Sequence, residues 1–258
     1  MTDYGLVSVI TPSYNCAEYI AETIESIQAQ TYTNWELLIT DDCSSDDSCE
    51  IISRYAEADP RIRLLRLEKN SGAGVARNNS ITNASGRFIA FCDSDDRWLP
   101  EKLERQLDFM AKTGKKVCYS SYYTCDENGT NTGLVVAYKT INYKEIRRDD
   151  SIGFLTCIYD TEGVGKIYLP ALRKRQDWGM KIMLMQKCRE AVGIIEPLAI
   201  YRLRSGSLSG DKRKLVKYNV MVYREVLHYN FVHAWLKFLF DFMPHYIAKR
   251  LRLKIINQ

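Results

Sequence analysis

The sequence predicts an α/β protein: a mostly parallel sheet flanked by helices on both faces, with a helical C-terminal extension. Three observations lead there. Short, unbroken apolar runs rich in β-branched residues recur through the first 125 positions. Each is followed by a stretch with helical apolar spacing, and the polar loops richest in reactive side chains follow the runs. Strands buried on both faces read as continuous apolar runs, and parallel neighbours need a crossover, usually a helix.

Residues 6–11 read as the first strand and 17–28 as a helix with Tyr19, Ile20, Ile24 and Ile27 on one face. Residues 35–40 form the second run, and Ser44 or Ser45 is expected to cap the helix near 46–55. A strand over 62–67, a helix over 74–82 and a strand over 87–92 continue the alternation. Pro100 opens a helix to about residue 112, and 117–124 reads as a fifth strand. Beyond 125 the pattern fades. Residues 126–133 read as a turn-rich loop, 141–150 as ambiguous, and 151–160 as the place for a short strand. Residues 178–187 form an amphipathic helix and 198–202 a strand, and the chain past 210 is helical, basic and aromatic. The expected division is a domain over 1–210, with halves meeting near 115, and a tail over 211–258. Right-handed crossovers bring the C-terminal strand ends to one edge, where open α/β sheets bind ligands. Residues 12–15, 41–47 and 93–97 should converge there.

A chain of 258 residues with 46% hydrophobic content builds a sizeable core, which excludes disorder. Its net charge of +4 averages two unlike regions. Residues 1–211 carry 26 basic and 30 acidic side chains, a balance of −4, while 212–258 carry 10 and 2, a balance of +8. The eight cysteines form no Cys-x-x-Cys pair and no signal peptide precedes the first strand, so the expectation is buried free thiols and a cytoplasmic protein. Cys92 reads as a core thiol. No stretch reaches the roughly 20 uninterrupted apolar residues of a spanning helix.

Asp93-Ser94-Asp95-Asp96 follows the run Phe88-Ile89-Ala90-Phe91-Cys92 directly. Carboxylates this dense repel one another unless a cation intervenes. Mg²⁺ is typically held by one or two carboxylates plus substrate phosphates, so a cluster at a strand end suits presenting a metal to a diphosphate. Taken alone, the pattern equally fits a solvated acidic loop.

Its neighbours give it meaning. Val7-Ser8-Val9-Ile10-Thr11-Pro12-Ser13-Tyr14-Asn15, Trp35-Glu36-Leu37-Leu38-Ile39-Thr40-Asp41-Asp42-Cys43-Ser44-Ser45-Asp46, Asn70-Ser71-Gly72-Ala73-Gly74-Val75-Ala76-Arg77-Asn78 and Asp93-Ser94-Asp95-Asp96-Arg97-Trp98-Leu99-Pro100 together resemble the four signatures of family 2 glycosyltransferases. They occur in order, and the resemblance covers residues 6–210. It implies the GT-A fold, a Rossmann-like sheet, and an inverting transfer of sugar from a nucleotide-sugar donor, by family habit UDP-linked. It also implies Mg²⁺ or Mn²⁺, with Asp95 as the direct metal ligand, Asp93 beside it towards the ribose, and Asp96 supporting sugar or metal. Pro12, Tyr14 and Asp42 would receive the base, while Arg77 and Ser94 would meet the diphosphate. A guanidinium suits that task because it binds anionic oxygens in pairs. Tyr201-Arg202-Leu203-Arg204-Ser205-Gly206-Ser207-Leu208-Ser209 resembles the family's C-terminal flap, with Arg204 where histidine is common. Either Arg202 or Arg204 would then hold diphosphate oxygens.

All three histidines, His228, His233 and His245, lie in the tail, so the catalytic base is expected to be a carboxylate raised towards working pH. Resemblance to the family's Glu-Asp-Trp motif points to Asp177 in Gln176-Asp177-Trp178, with Gln176 in place of Glu. In the tail, aromatics over 231–243 precede Lys249, Arg250, Arg252 and Lys254. Such a segment suits an anionic membrane interface, which would put the enzyme at the inner face of the cell membrane beside a glycan or lipid-linked acceptor of surface polysaccharide synthesis. Docking on the catalytic domain, or on a second copy in a homodimer, fits it equally. The acidic balance of 1–211 excludes a nucleic-acid module, which needs an extended basic face. A nucleotide-sugar sensor without turnover and a sugar nucleotidyltransferase are the remaining alternatives. The second lacks its Gly-rich loop after the first strand.

Overall fold

The computed structural model describes residues 2–204 and 212–247. Its first half alternates as the sequence predicts: β1 (Val7–Ser13), α1 (Ile20–Gln28), β2 (Trp35–Asp41), α2 (Ser48–Ala58), β3 (Ile62–Arg66), α3 (Ala73–Asn83) and β4 (Phe88–Phe91). Then come β5 (Arg97–Trp98), α4 (Lys102–Thr113), β6 (Val117–Cys125), β7 (Asn131–Val135), β8 (Thr140–Asn142) and α5 (Tyr143–Ile146). A 3₁₀ turn at Phe154–Thr156 leads to β9 (Ile158–Asp160), α6 (Gln176–Cys188), β10 (Glu190–Arg202), α7 (Lys212–Glu225) and α8 (Phe231–Lys237), which continues as a π-helical turn at Phe238–Phe242.

One sheet holds all ten strands, in the order β3-β2-β1-β4-β9-β6-β10-β5, with β7 beside β6 and β8 beside β10. Strands β1 to β4, β6 and β10 run parallel to one another; the short β5, β7, β8 and β9 are antiparallel to their neighbours. Side chains alternate across it. Ile10, Ile89 and Phe91 enter the core on one face with Ile81 of α3 and Trp178 and Met180 of α6. Val9, Phe88, Ala90 and Cys92 enter the core on the other face, with Ile20, Ile24, Ile27, Ile52, Leu103 and Leu107 of α1, α2 and α4. The protein is thus a three-layer sandwich whose sheet is buried on both sides.

Several local expectations change. No serine hydroxyl caps α2: Ser44 Oγ turns to the Asp41 carboxylate, and Asp46 Oδ1 accepts from Ser48 N at 3.1 Å instead. Pro100 sits two residues ahead of the first helical residue of α4, with Glu101 as its cap. The expected loop at 126–133 contains the start of β7, and the ambiguous 141–150 becomes β8 plus α5, closed by an Asn142/Glu145 capping box. Strand β10 begins eight residues earlier than expected. Pro197 hides its continuity, because the pairing with β6 shifts register on either side of that proline, which cannot donate a ladder hydrogen bond.

The tail docks. Val222, Tyr223, Val226, Ala234, Phe238 and Phe242 are buried in the same core as Trp178. Trp178 meets Tyr223 edge-on with ring centroids 5.8 Å apart and Phe242 at 5.6 Å.

Candidate active site

Parallel β1, β2 and β4 end together: Ser13 lies beside Asp41, and Ile10 beside Phe91. The loops beyond are stitched by their own polar groups. Asn15 N donates to Ser44 Oγ at 2.9 Å, Ser45 N to Asn15 Oδ1 at 2.9 Å, and Ala17 N to Asp46 Oδ2 at 3.0 Å. Pro12 is buried as the penultimate residue of β1, whereas Tyr14 is half exposed on the rim.

Asp42 is buried, and both its carboxylate oxygens accept backbone N–H groups, from Ser71 at 2.6 Å and Gly72 at 2.7 Å. Gly72 has φ of +92°, a conformation that disfavours a side chain, and it caps the N-terminus of α3. Asp42 therefore fixes the entry of the helix that carries Arg77. Arg77 is 7% exposed rather than a surface residue of that helix. Its Nη2 donates to Asp93 Oδ1 at 2.6 Å, and its Nε is buried without a partner.

The three carboxylates after β4 have different surroundings. Asp93 and Asp95 are about one-third and one-quarter exposed; Ser94, between them, is half-buried. Asp96 is 1% exposed: its Oδ1 accepts Arg202 N at 2.9 Å and its Oδ2 has no partner. Burial, then the charges of Asp95 and Asp93, pushes Asp96 well above the usual carboxylate range. Burial and the Asp93 charge also push Asp95 up, against the pull of Arg204. The two flap arginines divide their roles. Arg202 is consumed by structure, donating to Asp95 O at 3.0 Å, Glu127 O at 2.7 Å and Glu22 Oε2 at 2.8 Å. Arg204 reaches Asp95 Oδ2 at 3.0 Å and stays about one-third exposed. Residues 205–209 of the flap lie outside the described residues.

Among the described residues no three His, Cys, Asp or Glu side chains converge as a closed metal site. The donor set nonetheless fits a cation completed by substrate. Asp93 and Asp95 are accessible, mutually repelling carboxylates, each held by one cationic side chain, and the orphaned Asp96 Oδ2 lies in the same cluster.

Asp177 occupies the first turn of α6, one-third exposed. Its expected upward shift is not found. Burial pushes it up, but Lys181, Arg77 and Arg175 outweigh this and hold it below the ordinary aspartate value. The raised carboxylate is its neighbour Asp150, which burial and the Asp177 charge push up to about 6 against the pull of Lys181. Lys181, 1% exposed, pairs with Asp150, lies 3.5 Å from Asp177 Oδ2, and donates to Ile152 O at 2.7 Å. Arg77 and Lys181 flank one aromatic ring, Phe154, at 5.2 and 5.6 Å from its centroid. The N-termini of α3 and α6 also meet directly, since a Cβ at Gly74 would fall 1.9 Å from Gln176 Oε1. Asp150, Phe154 and Lys181 escape the sequence reading. The one signal is Lys181 itself, a charge on the apolar stripe Trp178–Ile182–Met185.

The sheet edge thus brings an acidic cluster to a buried arginine, with a carboxylate on α6 within reach of that arginine's charge. Comparison with known proteins gives the class, a family 2 glycosyltransferase with a GT-A fold. Residues 8–165 match the family model described as "Glycosyl transferase family 2", and the chain belongs to that family. It is 40% identical over 247 residues to a "Putative teichuronic acid biosynthesis glycosyltransferase TuaG" of Bacillus subtilis, covering 95% of this chain and 98% of that one. It is 38% identical over 217 residues, 84% of each chain, to the Escherichia coli "UDP-Glc:alpha-D-GlcNAc-diphosphoundecaprenol beta-1,3-glucosyltransferase WfgD". In fold it is similar to S. aureus TarS 1–349 in complex with UDP-GlcNAc, with TM-score 0.70 and 22% identity over 91% of this chain and 73% of that one. A Pyrobaculum calidifontis mannosyltransferase in complex with GDP-Man and Mn²⁺ gives TM-score 0.63 at 17% identity, over 92% of this chain and 70% of that one.

Proposed function

We propose that this glycosyltransferase inverts the anomeric centre of a UDP-linked sugar while transferring it to a hydroxyl of a lipid-linked glycan in surface polysaccharide synthesis. The observation that carries the reading is the meeting of two helix N-termini at the sheet edge. That of α3 brings Arg77 to Asp93, and that of α6, wedged on Gly74 by Gln176, brings Asp177 to face them. The polysaccharide setting and the donor rest on what the relatives' names state for those proteins.

In this mechanism the base lies against Pro12 and Tyr14, and the diphosphate reaches Arg77, whose unpartnered Nε offers a further donor, and Arg204. Asp93 and Asp95 would hold Mg²⁺ or Mn²⁺, which supplies positive charge to the departing phosphate oxygens. Asp177 takes the proton of the acceptor hydroxyl as its oxygen bonds to the anomeric carbon. The bond from that carbon to the phosphate oxygen breaks in line, and its electron pair leaves with the nucleoside diphosphate. Fixed geometry and charge carry most of such a rate gain. Asp42 acts at one remove, through the Gly72 turn, and Asp96 through Arg202 rather than at the sugar.

A screen of UDP-, GDP- and TDP-sugars with Mg²⁺ and Mn²⁺, read as hydrolysis and as transfer to a polyprenyl-diphosphate sugar, tests this. Turnover restricted to UDP-sugars in the presence of metal is expected. Absence of binding and turnover for every donor would overturn the reading.

A further inference from the structure

Helix α8 and its π-helical continuation are apolar on two sides. Ala234, Phe238 and Phe242 form the side buried against the catalytic core. The opposite side shows Val232 at 65% exposure, Leu236 at 48%, Leu239 at 50% and Phe240 at 75%, followed by Ile247 at 50%. Singly exposed apolar residues are ordinary, but a contiguous face of them on one helix is characteristic of a surface that meets something apolar. Among the described residues no helix is long and apolar enough to cross a bilayer, so the face suits a helix lying along an interface.

Charge selects the occupant. Residues 231–258 contain five Lys or Arg and a single acid, Asp241. That acid is engaged by Arg148 Nε at 2.6 Å and by Lys237 Nζ at 3.3 Å. Lys249, Arg250, Arg252 and Lys254 follow the apolar face with no carboxylate among them. The same tail of a second copy would offer only the same excess of positive charge and no complementary acidic surface for the cationic segment. An anionic lipid surface offers the complementary sign together with the apolar layer.

We propose that the outer face of α8 and the following turn, centred on Leu236, Leu239 and Phe240, is a docking surface for an anionic membrane. It lies against the sheet face that holds α6, so docking would place the helix carrying Asp177 near the lipid boundary. This rests on the reading of a lipid-linked acceptor but is tested without substrate. The full chain is sedimented with phosphatidylcholine vesicles with and without phosphatidylglycerol, alongside a Leu236→Glu/Phe240→Glu variant and a Lys249→Glu/Arg250→Glu variant. Binding should require phosphatidylglycerol, weaken with salt, and fall by about tenfold or more in both variants. Sugar-nucleotide hydrolysis by the Leu236→Glu/Phe240→Glu variant should stay unchanged, because those side chains are exposed and remote from the core. Equal binding to neutral vesicles, or none to either, would overturn the proposal. So would a dimer in sedimentation equilibrium that the variant dissolves while vesicle binding is unaltered. Loss of donor hydrolysis with vesicle binding intact would instead count against the proposed function alone.

Discussion

Asp177 and Lys181 are one turn apart and share one charge environment, which sets what single substitutions should do. Asp177→Asn removes the proposed proton acceptor and leaves the proposed donor contacts, so kcat should fall by about 10²–10⁴ with donor Kd within a few-fold of wild type, read by single-turnover transfer and calorimetry. The pH profile follows from the sign of the shift. Burial pushes Asp177 up, but Lys181, Arg77 and Arg175 outweigh it and hold the carboxyl below its ordinary value, so the acid limb of kcat/KM should lie below the usual aspartate range. Lys181→Met removes the nearest of those positive charges and should move that limb upward. Unchanged pH dependence would mean that the lysine acts only in packing. The proposed site was legible as residue types in short motifs: Asp93, Asp95 and Arg77 come together after β4, and Asp177 lies in the first turn of α6. What could not be read was how each charge is spent. Arg202 and Arg204 are two residues apart and look equivalent in sequence, yet one strand position turns Arg202 inward to three carbonyl and carboxylate partners and leaves Arg204 to Asp95.

At the scale of elements, helix termini set the precision of the site. A Gly74→Ala change should by intrinsic propensity stabilise α3 by up to about 1 kcal/mol. The Cβ would nevertheless fall 1.9 Å from Gln176 Oε1, so the Gln176 side chain, one residue before Asp177, must leave its place against α3. Gly74→Ala is therefore expected to lower kcat without lowering Tm, and Gly74→Ala/Gln176→Ser to recover most of it; failure of that rescue would remove the proposed link between the helices. Arg202→Ala should lower stability by roughly 2–4 kcal/mol in urea unfolding, because it strips the donor from two backbone carbonyls, with the half-exposed Glu22 adding little. Strands and helices of the first half were legible because their apolar runs are continuous. The second half was less so, since β7 and β8 are short and largely exposed and Pro197 interrupts β10, the strand that β8 pairs.

For the whole molecule, the docked tail leads us to propose that 1–210 depends on 212–247 for its stability. Trp178 is fully buried against Tyr223 and Phe242, so ending the chain at residue 210 would uncover the apolar side of the helix that holds Asp177. Such a chain should be recovered mainly in aggregates, and sedimentation of the soluble fraction checks this. The antiparallel β9 carries a related consequence for synthesis. A nascent chain that has emerged only as far as β4 has that strand's parallel neighbour β1 in place, but the outer edge of Phe88–Phe91 waits for β9, about seventy residues later. Until then a fully apolar strand presents open hydrogen-bonding groups, the kind of edge that recruits other chains. Residues 158–160 close that edge in the folded protein, so the strand that leads into the acidic cluster is shielded by a segment synthesised well after it.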